Sequence, residues 1–344
     1  MAAAPPTFVP PAPANAVTRC ERRHRVVQAV RSHFVQAGFL EVDTAVCVRA
    51  PAPELYIDAP QVTLQAMGQT HRRYLQTSPE LPMKRLLSAG LTQIFQFAAV
   101  FRDGDHSCLH RPEFRLLEWY RRGAGYQVLF DDCEGLLRGA ALAAGHPPGR
   151  LNYRGRTLNL EAPFVRLSVE AAFQKYVGFS ILESLSPAVL RARLLQVGIA
   201  HTESDSWDDL FHRAYLAHIE PALCQFDQPV FLTEFPTPLA ALAQCCPADP
   251  RTAERFELFV CGMELANAFG ELTCATTQRQ RFVAEAGRRG AAGKQVYPLD
   301  EAFLQALESL PPSAGIALGV DRLLMLLFHA ADMDEVAALP WQDT

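Results

Sequence analysis

Between Ile94 and Tyr120 the chain alternates twice about a polar interruption, and this pattern restricts the fold more than any other stretch of the sequence. In the first run Phe95, Phe97 and Phe101 share one strand face, and Gln96, Val100 and Arg102 the other. The run Asp103 to Pro112 is polar, and from Glu113 the alternation resumes. Phe114, Leu116, Glu118 and Tyr120 then fall on one face, with Arg115, Leu117 and Trp119 on the other. Two long strands joined by such a loop predict an antiparallel hairpin.

The rest of the chain supplies further elements. Residues 1–16 are Ala- and Pro-rich, with five prolines in the first thirteen positions, and read as an extended, disordered tail, with order beginning near Arg19. Val26, Val27, Val30 and Phe34 recur at helical spacing, Gly38 stops the helix, and Leu40, Val42 and Thr44 alternate as a strand. Residues 17–344 form one unit, with a mainly helical insertion at about 123–230 that carries no chemistry-bearing cluster. Strand character returns at Val230 to Phe235, at Glu254 to Val260 and, across a Cys261-Gly262 turn, at Met263 to Phe269. Ala314 to Phe328 reads as a Gly-punctuated strand followed by an apolar helix.

Charge and cysteine usage exclude several function classes. Lys and Arg total 32 against 37 Asp and Glu, and the net charge of −5 argues against a nucleic-acid backbone as the main partner. No run approaches the ~18 apolar residues of a membrane span, and a soluble, cytoplasmic protein is expected. Nine cysteines without a C-x-x-C pair point to reduced thiols. His106, Cys108 and His110 alternate without a second ligand cluster, so no structural zinc site is expected.

Several residues are candidates for chemistry. Across a two-residue turn at Cys261-Gly262, Phe259 opposes Glu264, and Glu257 lies on the same face one diagonal away. Two carboxylates so placed can share a hard divalent ion such as magnesium, or form a solvated strand face. Asn267, Phe269 and Glu271 also alternate, with parity opposite to Glu264; a bulge, which Gly270 would permit, is needed to bring all four into one pocket. An amide, an aromatic ring and a carboxylate together suit an ammonium group, although Phe269 equally fits an ordinary core. Arg102 at a strand end suits a phosphate oxygen, Phe114 offers a ring for stacking, and Arg322 sits at a helix start where anions are favoured. The run GIALGVDR lacks the spacing of a P-loop.

In combination, three blocks resemble the signature motifs of class II aminoacyl-tRNA synthetases: GFLEVDTA (Gly38 to Ala45), FRDGDHSCLHRPEFRLLEWY (Phe101 to Tyr120) and GIALGVDR (Gly315 to Arg322). TSPE (Thr77 to Glu80) and ERFELFVCGMELANAFGEL (Glu254 to Leu272) point to the lysyl branch. Nothing resembling that branch's anticodon-binding barrel precedes the core. The chain is therefore similar to the stand-alone lysyl-synthetase-like ligases, which activate (R)-β-lysine with ATP and pass it to a lysine of elongation factor P. Ala317 stands where those ligases carry Ala and lysyl-tRNA synthetases carry Gly.

The resemblance implies an α+β fold with a mostly antiparallel sheet flanked by helices, and dimerisation through the first motif. It implies an ATP site comprising Arg102, Asp103, Gly104, Asp105, Arg111, Phe114, Glu264, Leu265, Gly319 and Arg322, with Arg102 and Arg322 catalytic. Glu257 and Glu264 would hold Mg2+. Ser78, Pro79, Glu80, Glu118, Tyr120, Asn267, Phe269, Glu271 and Ala317 would surround a lysine-like amino acid. The acceptor would be elongation factor P, with neither tRNA nor membrane as partner. Two positions depart from the second motif: Gly104 stands where the family has Glu, with Asp105 next to it, and Arg111 replaces Asn. A truncated lysyl-synthetase relative acting on another acceptor, and a non-catalytic paralogue binding nucleotide or amino acid, are the alternative readings.

Overall fold

The computed structural model describes residues 15–343, so residues 1–14 of the tail expected to be disordered lie outside the described residues. Order begins before Arg19, because Asn15 caps the first helix, Ala16–Gln36, by accepting a hydrogen bond from Thr18 N at 2.9 Å.

Among the described residues, eight strands form the main sheet. They are β1 (Leu40–Glu41), β2 (Gln93–Phe101), β3 (Glu113–Arg122), β4 (Val165–Ser168), β5 (Val230–Thr233), β6 (Arg255–Val260), β7 (Met263–Gly270) and β8 (Ser313–Gly319). Their spatial order is β1-β2-β3-β8-β7-β6-β5-β4. The terminal pairs β1/β2 and β4/β5 are parallel and the other neighbours antiparallel, in agreement with the expected α+β class.

The β2/β3 hairpin runs as its alternation predicts, with Val100 opposite Phe114 and Gln96 opposite Glu118. Its aromatic face, with Phe95, Leu117 and Trp119, packs on Val30 and Phe34 of the first helix and Leu129 of helix Val128–Ala144. Phe34 and Phe95 stack with ring centroids 5.0 Å apart. Each such buried ring contributes roughly 1.5–3 kcal/mol, which commits this face to the core. The opposite face of the hairpin is left to the site.

Region 123–230, expected as a mainly helical insertion, is divided between the main core and a separate helical part. Helix Val128–Ala144 belongs to the main core, a hairpin joins Arg150–Tyr153 to Arg156–Asn159, and β4 is the far edge of the main sheet. These strands are four residues each, too short for their alternation to stand out from the surrounding Leu and Ala. The helical part proper follows β4 and has its own core around Phe173, Trp207 and Phe211, which meets the sheet through Val230, Leu232 and Phe259.

The β6/β7 turn is the expected two-residue one: Cys261 (φ 52°) and Gly262 (φ 79°) both take positive φ, as a type I′ hairpin requires. Phe259 opposes Glu264, but Leu258 opposes Ala266, which leaves Leu265 as an extra residue on β7. This bulge, and not Gly270, reverses the parity of the strand. Leu265 and Ala266 are both buried in the core, and two consecutive inward residues cannot sit on a regular strand. Gly270 stays in register opposite Ala314, with no room for a side chain beside Glu254. No helix among the described residues is long and apolar enough to cross a membrane.

The turn gives a direct test. A Cβ at Gly262 would run into Cys224 Sγ as well as straining a left-handed backbone. Gly262→Ala is expected to cost at least about 1–2 kcal/mol in urea denaturation, and adding Cys224→Ala should recover only the steric share. Equal stability of Gly262→Ala and wild type would contradict the turn geometry.

Candidate active site

One row of residues crosses the open face of the sheet in register: Gln96 on β2, Glu118 on β3, Ala317 on β8, Asn267 on β7 and Glu257 on β6. A parallel row holds Tyr120, Gly315, Phe269 and Arg255. Adjacent strands lie about 4.8 Å apart, so the two rows fix the spacing of every polar group on this face. Strand β8 runs through the middle and, beyond Ser313 at its start, presents Gly315, Ala317 and Gly319 on this face. Any side chain at Gly315 would meet Tyr120 and Glu271. The small residues leave a cavity of about 320 Å³ above them.

Of the residues expected at the site, Ser78, Glu80, Arg102, Arg111, Phe114, Glu264, Leu265, Asn267, Phe269, Ala317, Gly319 and Arg322 line this cavity. Glu118, Tyr120 and Glu271 are buried and outside the lining, and Glu257 lies beside Glu264, also outside it. Pro79 begins helix Glu80–Ser88, where Ser78 Oγ accepts from Glu80 N at 3.0 Å. Asp103, Gly104 and Asp105 stand off the cavity in the β2/β3 loop, with Asp103 N donating to Asp58 O at 2.7 Å. Gly104 takes φ 84°, a conformation disfavoured for the Glu of the family motif.

The acidic end of the cavity is held by a cation the sequence reading missed. Lys84, 1% exposed, pairs with Glu80 and, at 2.5 Å, with Glu271. Its position four residues after Glu80 on a helix was the available signal. Burial opposes its charge, but Glu271 and Glu80 hold the ammonium above its ordinary pKa. Glu118 accepts from Ser78 Oγ at 2.7 Å and from Tyr120 OH at 2.8 Å. Burial first, then the neighbouring Glu80, pushes its pKa up to about 8. Burial likewise raises Glu271 to about 8, against the attraction of Lys84. Thus three carboxyl groups face one internal ammonium, and a further cation at this end would favour ionisation of Glu118 and Glu271. Asn267 Oδ1 nearby is a buried acceptor with no partner.

The other end is cationic. Arg102 lies over the Phe114 ring, 5.1 Å from its centroid, and its buried Nε has no acceptor. Arg322 donates to the Glu264 backbone oxygen at 2.9 Å and contacts the Glu264 carboxylate at 3.4 Å. Its Nη2 donates to His110 Nε2 at 2.7 Å, while His110 Nδ1 pairs with Ser107 Oγ at 2.7 Å. Burial and then Arg322 lower the pKa of His110, so the ring is a neutral acceptor for the arginine. His110 entered the sequence reading only as a zinc candidate, and among the described residues no cluster of three or more His, Cys, Asp or Glu side chains suits a metal. Arg111 lines the cavity with its charge already engaged, by Asp332 at 2.5 Å and Asp334 at 3.1 Å. It fastens the loop to the C-terminal segment and is not a free cation beside a nucleotide.

Glu257 and Glu264 lie close enough for their charges to interact. Burial raises Glu257 to about 7; Arg255, paired with it at 2.5 Å, opposes the shift, and Glu264 adds to it. Arg255 pairs with Glu257 and Arg322 only loosely with Glu264, at 3.4 Å, and an oxygen-ligated divalent cation bridging to a phosphate matches this donor set.

A family model described as tRNA synthetases class II (D, K and N) matches residues 14–343. The chain is 36% identical over 338 residues to the elongation factor P (R)-β-lysine ligase of Klebsiella pneumoniae, covering 96% of this chain and 97% of that protein. The ligases of the same name from Vibrio vulnificus and Hamiltonella defensa are 35% and 34% identical, each over at least 95% of this chain and 96% of their own length.

The buried acids make stability depend on pH. Between its ordinary value of 4.5 and about 8, Glu118 is protonated in the folded chain and ionised in the unfolded one. Its contribution is complete below 4.5 and lost as the pH rises through about 8. The urea midpoint of the ligand-free protein should therefore fall from pH 5 to pH 8, and Glu118→Gln should flatten that fall. Identical slopes for the two proteins would contradict the assignment.

Proposed function

The chain belongs to the class II tRNA synthetases of the D, K and N group, and on that premise we propose that it is an ATP-dependent ligase that joins (R)-β-lysine to a lysine side chain of elongation factor P through an aminoacyl adenylate. The observation that carries this reading is the polarity of the cavity, acid-rich beside Glu80 and arginine-rich beside Phe114. A substrate with two ammonium groups suits the first end, and a triphosphate suits the second.

ATP binds with its adenine on Phe114, its α-phosphate on the unpaired Nε of Arg102, and its polyphosphate tail on Arg322, which His110 and Glu264 orient. Gly319 allows close backbone approach, and Leu265, at the bulge, aims Glu264 toward the phosphates. Glu257 and Glu264 would hold Mg2+, which supplies charge neutralisation and orientation of the phosphate oxygens. Glu80 and Asn267 Oδ1 take the ammonium groups of the amino acid, with Ser78, Glu118, Tyr120 and Glu271 setting the field beneath, and Phe269 forming a wall. The substrate carboxylate is left free to attack the α-phosphate, and pyrophosphate departs as Arg102 and Arg322 stabilise the developing charge. The methyl of Ala317, between Glu118 and Asn267, sets where the substrate backbone rests. The net charge of −5 favours a protein acceptor over tRNA. The protein acts in the cytoplasm as a homodimer, its edge strand β1 and the exposed Val35 and Leu40 forming part of the subunit contact.

The test is ATP/pyrophosphate exchange with (R)-β-lysine, with α-lysine and with neither, followed by transfer to elongation factor P. Exchange should be strongest with (R)-β-lysine, and Arg102→Ala should reduce it by about 10²–10³. Ala317→Gly should shift the preference toward α-lysine. Folded protein that shows no exchange with any amino acid in the presence of magnesium would replace this reading with that of a non-catalytic binding paralogue.

A further inference from the structure

A second cavity, of about 370 Å³, adjoins the first and shares with it Glu54, Ile57, Ala241, Leu242 and Arg255. Loop 53–57, segment 237–242, helix Trp207–Ala214 of the helical region and helix Ala275–Ala291 wall this groove, and Leu55, Ile57, Leu239 and Phe282 make it largely apolar. Its charged side chains are engaged with one exception, while Gln278, also in the lining, has both side-chain amide atoms buried without a partner. Arg288 pairs with Asp208 at 2.6 Å and Glu285 at 2.7 Å, Arg281 donates to the Ala241 and Ala243 carbonyls at 2.7 Å, and Arg255 is held by Glu257 and the Leu239 carbonyl.

Glu54 is the exception. Among the described residues its carboxylate forms no hydrogen bond or ion pair, although its backbone is firmly fixed. Arg289, fully buried, donates to Glu54 O at 2.6 Å, to Ile57 O at 2.9 Å and to Asp58 Oδ1 at 2.6 Å. Glu54 thus stands at the junction of the two cavities, facing Arg102, Glu80 and Arg255 on the first side and Glu285 on the groove side. Burial first, opposed by Arg102, then Glu80, Arg255 and Glu285 act on its carboxyl, and the net effect raises its affinity for a proton.

We propose that the acceptor lysine reaches the adenylate along this groove and that Glu54, at its inner end, takes the proton from the arriving ammonium. The inference rests on the ligase reading above. It commits the groove to one occupant, a lysine side chain, whose four methylenes match the apolar walls and whose charge matches the one carboxylate left unengaged. A lysine ammonium with an ordinary pKa near 10.4 is almost wholly protonated at neutral pH and is no nucleophile, so transfer needs a base where the amine meets the acyl carbon. Glu54 accepts the first proton, and the freed lone pair attacks the acyl carbonyl carbon. The C–N bond forms, the bond from that carbon to the phosphate oxygen breaks, and AMP leaves carrying the electron pair of that bond. The second N–H proton departs on the phosphate of AMP, and Glu54 returns its own proton to solvent through the groove.

The two half-reactions separate this proposal from the reading it rests on. With adenylate preformed from ATP and (R)-β-lysine, Glu54→Gln should lower the ratio of transfer to exchange by about 10²-fold. Its remaining transfer should rise in proportion to hydroxide over the range where the wild-type rate levels off. Ala284→Trp, on an exposed position of the groove's outer wall, should lower the same ratio without touching the carboxylate, and so keeps the route testable if Glu54→Gln folds poorly. A proportionate loss of exchange and transfer in Glu54→Gln, or an unchanged ratio in Ala284→Trp, would overturn the proposal. Absence of exchange in the wild-type protein would overturn the ligase reading itself, and this assignment with it.

Discussion

The site depends on an unequal balance of charge under one sheet face: Glu80, Glu118 and Glu271 against Lys84. Removing carboxylates from water is costly unless they are paired or protonated. Lys84 is ion-paired with Glu271 and Glu80, the Glu271 oxygens make no hydrogen bond, and Glu118 stays protonated beside Ser78. Without Lys84 the cluster would be too acidic to bury, and with a second internal cation it would have no further need of a ligand. The balance leaves a cavity that is stable when empty and still attractive to an ammonium group. Such a group supplies the missing charge and would draw Glu118 toward ionisation.

That cluster works only because the sheet delivers its members to one face, and a single bulge decides this. With a regular β7, Glu264 would share a face with Ala266 and Ala268, while Asn267 and Phe269 pointed the other way. The extra residue Leu265 lets Glu264 and Asn267 both face the cavity, so the Glu257/Glu264 pair and the acid-rich end meet across one strand. The turn at Cys261-Gly262 fixes where the count begins, and the Gly315, Ala317 and Gly319 floor leaves the volume above it free.

Much of this was legible in the sequence. The β2/β3 hairpin and its two faces, the Cys261-Gly262 turn and the need for a bulge all follow from alternation, because a period of two leaves few options for Phe95, Trp119 or Glu264. Arg102 stood out because a guanidinium is costly at the end of an otherwise apolar strand face, Arg322 because it starts a helix, and Phe114 only as a ring across the hairpin from Arg102. What escaped was set by tertiary context. Leu265 looks like any strand leucine, and only the competition of two adjacent core positions singles it out. Lys84 and His110 act mainly through partners far away in the chain, Glu271 and Arg322, and the i,i+4 spacing of Glu80 and Lys84 is the one local mark either carries. The engagement of Arg111 escaped for the same reason, since its neutralising partners, Asp332 and Asp334, come from the C-terminal segment. The short strands of region 123–230 carried too little alternation to register.

The helical region, silent in the sequence, gains a physical role from what it touches. Tyr56 OH donates to Asp209 at 3.2 Å and Arg288 bonds Asp208, so helix Trp207–Ala214 is tied both to loop 53–57 and to helix Ala275–Ala291. Arg289 fixes the same loop from beneath, and Lys294 grips Asp58 at 2.8 Å. A loop held from two sides keeps a shape that its own sequence, broken by Pro51 and Pro53, does not specify. The distant helical core thereby helps set the mouth of the cavity and the position of Glu54. Changes on the far side of that helix are then expected to reach the site through loop 53–57, whereas changes in the β2/β3 loop act through Arg111 and the C-terminal segment. The cavity thus has two independently anchored rims over one floor of sheet.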